Sequence, residues 1–170
     1  MITRSTNNRE QVMPQHSALR LENYPPFKSM NIKVLELDEL WQRVRILLPL
    51  EPQNLNPGGT MFGGAMSSLA DPIAALACAK CFPDYTVWTK SLQIDFLRPG
   101  TDDLILQFDF PQDLRQEIET VLAEKGSYTP RFSYGFYRAD GTLCCQIGCE
   151  VAIRPADPDS HRLGFRNREA

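Results

Sequence analysis

The chain has 170 residues, of which 42% are hydrophobic and 23% charged, enough for one ordinary globular domain with a real core. A net charge of −3 and a pI near 5.4 give no electrostatic case for nucleic acid or an anionic membrane. Five cysteines, an odd count without a paired framework, fit a reducing compartment better than a disulfide scaffold. The N-terminus lacks an apolar leader core, and the longest apolar run is too short and too interrupted to span a bilayer. A cytoplasmic location is therefore expected.

Residues 1–29 read as an N-terminal tail, polar up to Gln15, with a short helix over His16–Glu22 stopped by Tyr24-Pro25-Pro26. The folded domain is expected over residues 30–154. It opens with a strand at Asn31–Leu37, a turn at Asp38-Glu39, and a second strand over Trp41–Leu48. In that second strand Gln42, Val44, Ile46 and Leu48 alternate with Arg43 and Arg45, which reads as a hairpin with one wet face.

The stretch from Asn54 to Lys80 organises the rest. Glycines at 58, 59, 63 and 64 lead into an almost unbroken apolar run through Cys78, rich in alanine and poor in β-branched residues. Such a run favours helix, and its apolar character on nearly every side predicts a helix enclosed by the rest of the protein. Asp71 sits inside it, where a buried carboxylate needs a partner or a function. Asp71-Pro72 also reads as an N-cap followed by proline at the first helical position, in which case the helix starts late and Asp71 only caps it.

After Pro83-Asp84 the period becomes two. Leu92, Ile94 and Phe96 alternate with polar residues between Val87 and Arg98, Pro99-Gly100 turns, and Leu104, Leu106, Phe108 and Phe110 mark the next inner face. Leu114, Ile118, Val121 and Leu122 fall at helical spacing before a Gly126 stop, predicting a surface helix inserted between strands. Phe132, Tyr134 and Phe136 alternate again, Asp140-Gly141 is a hairpin turn, and Cys145, Ile147, Cys149, Val151 and Ile153 line the last strand. Residues 155–170 read as a polar tail.

The elements sum to an α+β domain: an antiparallel sheet of about six strands, curved around one enclosed helix. Its exposed edge is most simply covered by a second copy of the chain.

The order of elements, and Asn56-Pro57-Gly58-Gly59-Thr60-Met61-Phe62-Gly63-Gly64 followed by Asp71, resembles the hotdog-fold thioesterases. The phenylacetyl-CoA thioesterase-like branch carries an asparagine, a His-Gly-Gly six residues on, and an aspartate nine past that histidine; Asn56, Phe62-Gly63-Gly64 and Asp71 fall on those spacings. The chain is more similar still to the thioesterase branch that includes the YiiD C-terminal domain. The features shared with it are the GTMFGGA entry, the Asp-Pro pair, the Ile94–Pro99 strand end and the inserted helix. The resemblance spans roughly residues 30 to 153. It implies a homodimer or dimer of dimers, an acyl-CoA or other acyl-thioester substrate, and no cofactor beyond the coenzyme A of that substrate. It also places the aspartate and the glycine end on opposite subunits of a shared site.

Thioester hydrolysis needs a group that attacks the carbonyl or activates water, and donors for the oxyanion. A glycine-preceded helix N-terminus offers free backbone N–H groups, so Gly64, with Gly63, is the expected donor. Asp71 is expected as nucleophile or general base. Asn56 would orient water or the leaving group, or merely shape the turn before Pro57. Ser67 and Ser68 would hydrogen-bond Asp71 or serve as small packing residues. Phe62 stands where the broader branch has histidine, so a side-chain donor is missing from the substrate site. A non-catalytic hotdog module that binds acyl-CoA or another apolar ligand is therefore the alternative, and an acyl-CoA hydratase a more distant one.

Lys90, on the face of Leu92 and Ile94 by simple alternation, would meet substrate at the site mouth or snorkel at a strand end. Arg98 would meet a coenzyme A phosphate or stay solvated. Cys78-x-x-Cys81 lacks a second ligand pair, and His16 and His161 lie in the tails, so no metal site is expected.

Overall fold

The computed structural model describes residues 12–156 of the chain. In chain order it contains α1 (Val12–Asn23), α2 (Pro25–Ser29), β1 (Lys33–Leu37), β2 (Arg43–Leu48), a 3-10 turn (Pro52–Asn54), α3 (Gly63–Ala70) and α4 (Ile73–Cys81). There follow β3 (Tyr85–Phe96), β4 (Leu104–Asp109), α5 (Gln112–Lys125), β5 (Arg131–Tyr137) and β6 (Leu143–Pro155). The strands form one six-stranded antiparallel sheet in the order β1-β2-β4-β5-β6-β3. This is the curved sheet around a helix that the hotdog resemblance implies.

The period-two positions supply the inner face. Val44, Ile46 and Leu48 of β2, Leu104, Leu106 and Phe108 of β4, Phe132, Tyr134 and Phe136 of β5, and Cys145, Ile147, Cys149, Val151 and Ile153 of β6 are all buried. Phe108, Phe110, Phe132 and Tyr134 interlock edge to face or tilted, with centroids 5.0–6.2 Å apart. Helix α5 buries Ile118 and Leu122 and ends on Gly126, whose φ of 72° lies in the left-handed region and whose N–H bonds the Leu122 carbonyl.

Several expectations change. The N-terminal segment belongs to the domain. Leu21 of α1, Phe27 of α2 and Ile32 are almost fully buried in the common core, so the boundary at residue 30 falls inside one packed unit. The expected tail up to Gln15 is partly helical, since α1 begins at Val12; residues 1–11 and 157–170, and with them His161, lie outside the described residues. In the first hairpin Gln42 is exposed, and Trp41 is buried instead, with a φ of 56°. The turn is held by the Gln42 N–H donating to Asp38 Oδ1 at 2.6 Å. On β3, Leu92 and Ile94 are only half-buried and Phe96 is 57% exposed, because β3 is the sheet's edge rather than an interior strand.

The central run becomes two helices, not one. Helix α3 starts at Gly63, and Asp71 follows it as its C-cap, with α4 beginning just after Pro72. Proline supplies no N–H to the turn before it, so the helix breaks where the sequence places it. Asp71 and Pro72 keep right-handed backbone angles through the break. Leu69, Ala70, Ile73 and Ala74, on both sides of the break, are fully buried, whereas Leu76 is only half-buried.

Candidate active site

The loop that leads into α3 is shaped by Asn56. Its Oδ1 accepts the N–H of Gly58 at 2.9 Å and of Thr60 at 3.2 Å, and its Nδ2 donates to Thr60 Oγ1 at 2.8 Å. The side chain is thus committed to its own loop, and the turn-shaping reading accounts for it. Two residues back, Asn54 is fully buried and ties the loop to the domain by donating to the carbonyls of Met30 and Pro49 at 2.8 and 2.9 Å. Its own carbonyl accepts the Phe62 N–H at 2.7 Å. Gly100 lets the next segment close in: the Met61 N–H reaches its carbonyl at 2.8 Å, and a Cβ on Gly100 would fall 2.8 Å from Met61 and Leu104.

These ties aim the N-terminus of α3 outward. Ala65 and Met66 donate their N–H groups to the Phe62 carbonyl, while among the described residues no acceptor meets the N–H groups of Gly63 and Gly64. Two aromatic rings stand over the pair. A Cβ on Gly63 would lie 2.9 Å from the Phe96 ring, and one on Gly64 would lie 2.3 Å from the Phe62 ring. Only glycine fits either position with the rings in place. On one side opens a cleft of about 430 Å³ whose walls include Asn56, Phe62, Gly63, Met66, Phe96 and Arg98. On the other, a cleft of about 290 Å³ runs between Met30, Asn54, Phe62, Gly64, Ala65 and Ser68.

Asp71 is exposed, against the expectation of a buried carboxylate. It faces out of the apolar run, so the carboxylate needs no buried partner. Neither expected serine serves it. Ser67 donates its hydroxyl to the Gly63 carbonyl at 2.7 Å, a back-bond within α3, and Ser68 is exposed on the wall of the second cleft. The break is instead held from the sheet by two hydroxyls that the sequence reading did not single out. Tyr134 donates to the Ala70 carbonyl and Thr89 to the Asp71 carbonyl, both at 2.7 Å. The carbonyls at a helix end lack partners of their own, and these two bonds fix the backbone that carries Asp71. Burial pushes the Tyr134 phenol above its ordinary range, which favours its protonated, donating form.

Tyr134→Phe removes one hydroxyl and leaves the Ala70 carbonyl short of a donor in the core. Such a loss typically costs about 1–3 kcal/mol, which a denaturant titration with an unchanged slope will register. A variant as stable as the parent would show that the Ala70 carbonyl finds another partner.

Lys90 is exposed and lies at a bulge, where the β3–β6 register shifts between Thr89 and Ser91. The extra residue reverses the alternation. Val87 and Thr89 before the bulge and Leu92 and Ile94 after it share the inward side, and Lys90 is not among them. Arg98 is exposed on the rim of the larger cleft and bonds the Leu143 carbonyl at 3.1 Å.

The cysteines offer no nucleophile. All five are free and none is exposed; burial raises the Cys78 thiol well above its ordinary value and lifts Cys145 to about 11. A thiol so shifted is a small hydrophobe rather than a reactive thiolate. Among the described residues no group of three or more His, Cys, Asp or Glu is placed to hold a metal ion, and no helix is long and apolar enough to cross a membrane.

Among solved structures, PA5026 of Pseudomonas aeruginosa, described as a protein of unknown function and probable thioesterase, superposes with a TM-score of 0.74 at 17% identity, covering 84% of this chain and 95% of that one. The PaaI protein of the E. coli phenylacetic acid degradation operon gives 0.60 at 19% identity, over 91% and 96% of the two chains. The thioesterase HI1161 of Haemophilus influenzae gives 0.63 at 15% identity, over 94% and 97%. No curated protein matches by sequence. The family described as Domain of unknown function (DUF4442) matches residues 14–153. That span takes in most of α1, the entry loop, both central helices and nearly all of the sheet, and the chain therefore belongs to the DUF4442 family, with a hotdog fold.

Proposed function

We propose that the protein hydrolyses acyl thioesters, with acyl-CoA as substrate class, at a site completed by a second copy of the chain. The reading is carried by the N–H groups of Gly63 and Gly64, which meet no acceptor among the described residues and border the two clefts that share Phe62. They supply the donors that a thioester carbonyl needs as negative charge develops on its oxygen. Asp71 acts as general base: its carboxylate takes a proton from water, and the resulting hydroxide attacks the carbonyl carbon. The tetrahedral oxyanion rests on the glycine N–H groups and collapses to expel the thiolate, which takes up the proton held by Asp71. Asn56 serves by holding the donor loop. Lys90 and Arg98 offer exposed cations to the anionic portion of coenzyme A, and Phe62 and Phe96 flank the acyl group. No cofactor is invoked beyond the substrate's own coenzyme A.

One chain does not bring base and donors together. At about 1.5 Å rise per residue, Gly64 and Asp71 stand about 10 Å apart along α3, too far for one carbonyl to meet both. A two-fold partner resolves this, and β3 offers the place for it. It is a 12-residue edge strand with unpaired backbone groups, and it carries Trp88 exposed beside Lys90. Long uncovered edges of that kind are normally paired or blocked. Sedimentation at micromolar concentration is expected to show a dimer or a dimer of dimers; a monomer alone would remove the shared site. Hydrolysis of short, medium, long and aromatic acyl-CoAs, followed by free-thiol detection, tests the activity. The alternative is a non-catalytic module that binds acyl-CoA or another apolar ligand. It is favoured by Phe62 in place of a side-chain donor, and binding without thiol release would establish it.

A further inference from the structure

The two clefts at the N-terminus of α3 share one wall residue, Phe62. Its ring is packed on Gly64, close enough that a Cβ there would fall 2.3 Å away, and it lines both the cleft that holds Gly63 and the cleft that holds Gly64. The larger cleft takes its apolar surface from Met61, Met66, Phe96 and Leu97. The smaller adds Pro26, Met30 and Ala65 as apolar surface, with Ser29, Gln53 and Ser68 beside them. Phe62 itself is 49% exposed, so holding the fold together is not what keeps an aromatic ring there.

We propose that Phe62 sets acyl selectivity by partitioning the two clefts. It confines the acyl group to the larger one and so favours short and medium acyl chains over long ones. The proposal rests on the thioester reading for its substrate class. The ring acts as a wall: with it in place, an acyl chain lying along Met66 and Phe96 ends at Phe62. Without it the chain continues past Gly64 toward Met30. Each further methylene that leaves water is worth about fourfold in affinity, so opening the passage should reorder the substrates rather than lift all of them equally.

The test compares Phe62→Ala and Phe62→Trp with the parent protein across a saturated acyl-CoA series, reading kcat/KM for hydrolysis. In parallel, the Kd of non-hydrolysable acyl-CoA thioether analogues of the same lengths is measured. Phe62→Ala is expected to raise the long-to-short preference by at least about tenfold, the return on roughly two methylenes entering the second cleft. Phe62→Trp, which keeps the wall, should leave that ratio within about twofold. Ser68→Trp, built into the second cleft in the Phe62→Ala background, should return the preference to short chains. A length profile that Phe62→Ala leaves in place, in both hydrolysis and analogue binding, overturns the proposal. If no acyl-CoA is hydrolysed by any variant, the thioesterase reading fails, and the analogue Kd ratios still decide the role of Phe62.

Discussion

Leu69→Ala is expected to destabilise the fold by about 2–5 kcal/mol, the usual cost of truncating a fully buried leucine. Leu69 lies on the last turn of α3, with no exposed surface, one residue from the carbonyl that Tyr134 holds. It is surrounded by core contributed by both the helix and the sheet, so the space left by its side chain has few routes to collapse. For a domain of this length such a loss lowers the melting midpoint by roughly 4–20 °C. Leu76, only half-buried, gives the internal comparison: the same truncation there should cost clearly less. Thermal or urea unfolding of the two variants side by side measures the difference. Equal and small shifts would mean that α3 is not enclosed by the sheet.

Much of this architecture was legible from period alone. The alternations at 44–48, 104–108, 132–136 and 145–153 are the inner face of the sheet, and the heptad-like spacing before Gly126 is α5. Both signals are local, because each follows from one face meeting water and the other meeting core. What failed were the positions where a local rule was overridden. The bulge at Lys90 adds one residue to β3 and reverses its alternation, and no sequence period announces a bulge. Phe96 continues the inward series in the sequence, yet β3 is the edge and the ring leaves the sheet to cover Gly63. Trp41 is buried on a left-handed residue that its side chain alone would not suggest.

The site divides in the same way. The start of the helix was readable, because paired glycines directly precede the apolar run, and Gly63 and Gly64 do begin α3. The proline was readable too, although its consequence was a mid-run break and not a late start. The side-chain roles were harder. Asn56 and Ser67 are small polar residues near a helix start, and such residues bond the nearest backbone in preference to a distant carboxylate. Thr89 and Tyr134 lie 18 and 64 residues from the carbonyls they hold, a pairing that only the closed sheet brings together. The available clue was chemical: Tyr134 alternates with phenylalanines on a buried face, and a buried phenol requires an acceptor.

Asp71→Asn is the decisive substitution, expected to lower thioester hydrolysis by at least about a hundredfold, since general-base catalysis is typically worth about 10²–10⁴-fold. Asparagine keeps the shape and removes the carboxylate that the proposed mechanism uses as its base. The backbone at the break should not move, because what holds it there are the Tyr134 and Thr89 bonds to the carbonyls of Ala70 and Asp71, which the substitution leaves intact. The exposed carboxylate contributes no buried contact, so thermal stability is expected to stay close to that of the parent. Binding of the same acyl-CoA should survive within a few-fold, because the clefts and the glycine donors lie about 10 Å away along α3. The separation of these three readouts gives the test its force. Loss of turnover with binding and stability intact assigns the base to Asp71. Turnover that persists in Asp71→Asn would take the carboxylate out of the mechanism and leave the glycine donors as the only part of the proposed site still standing.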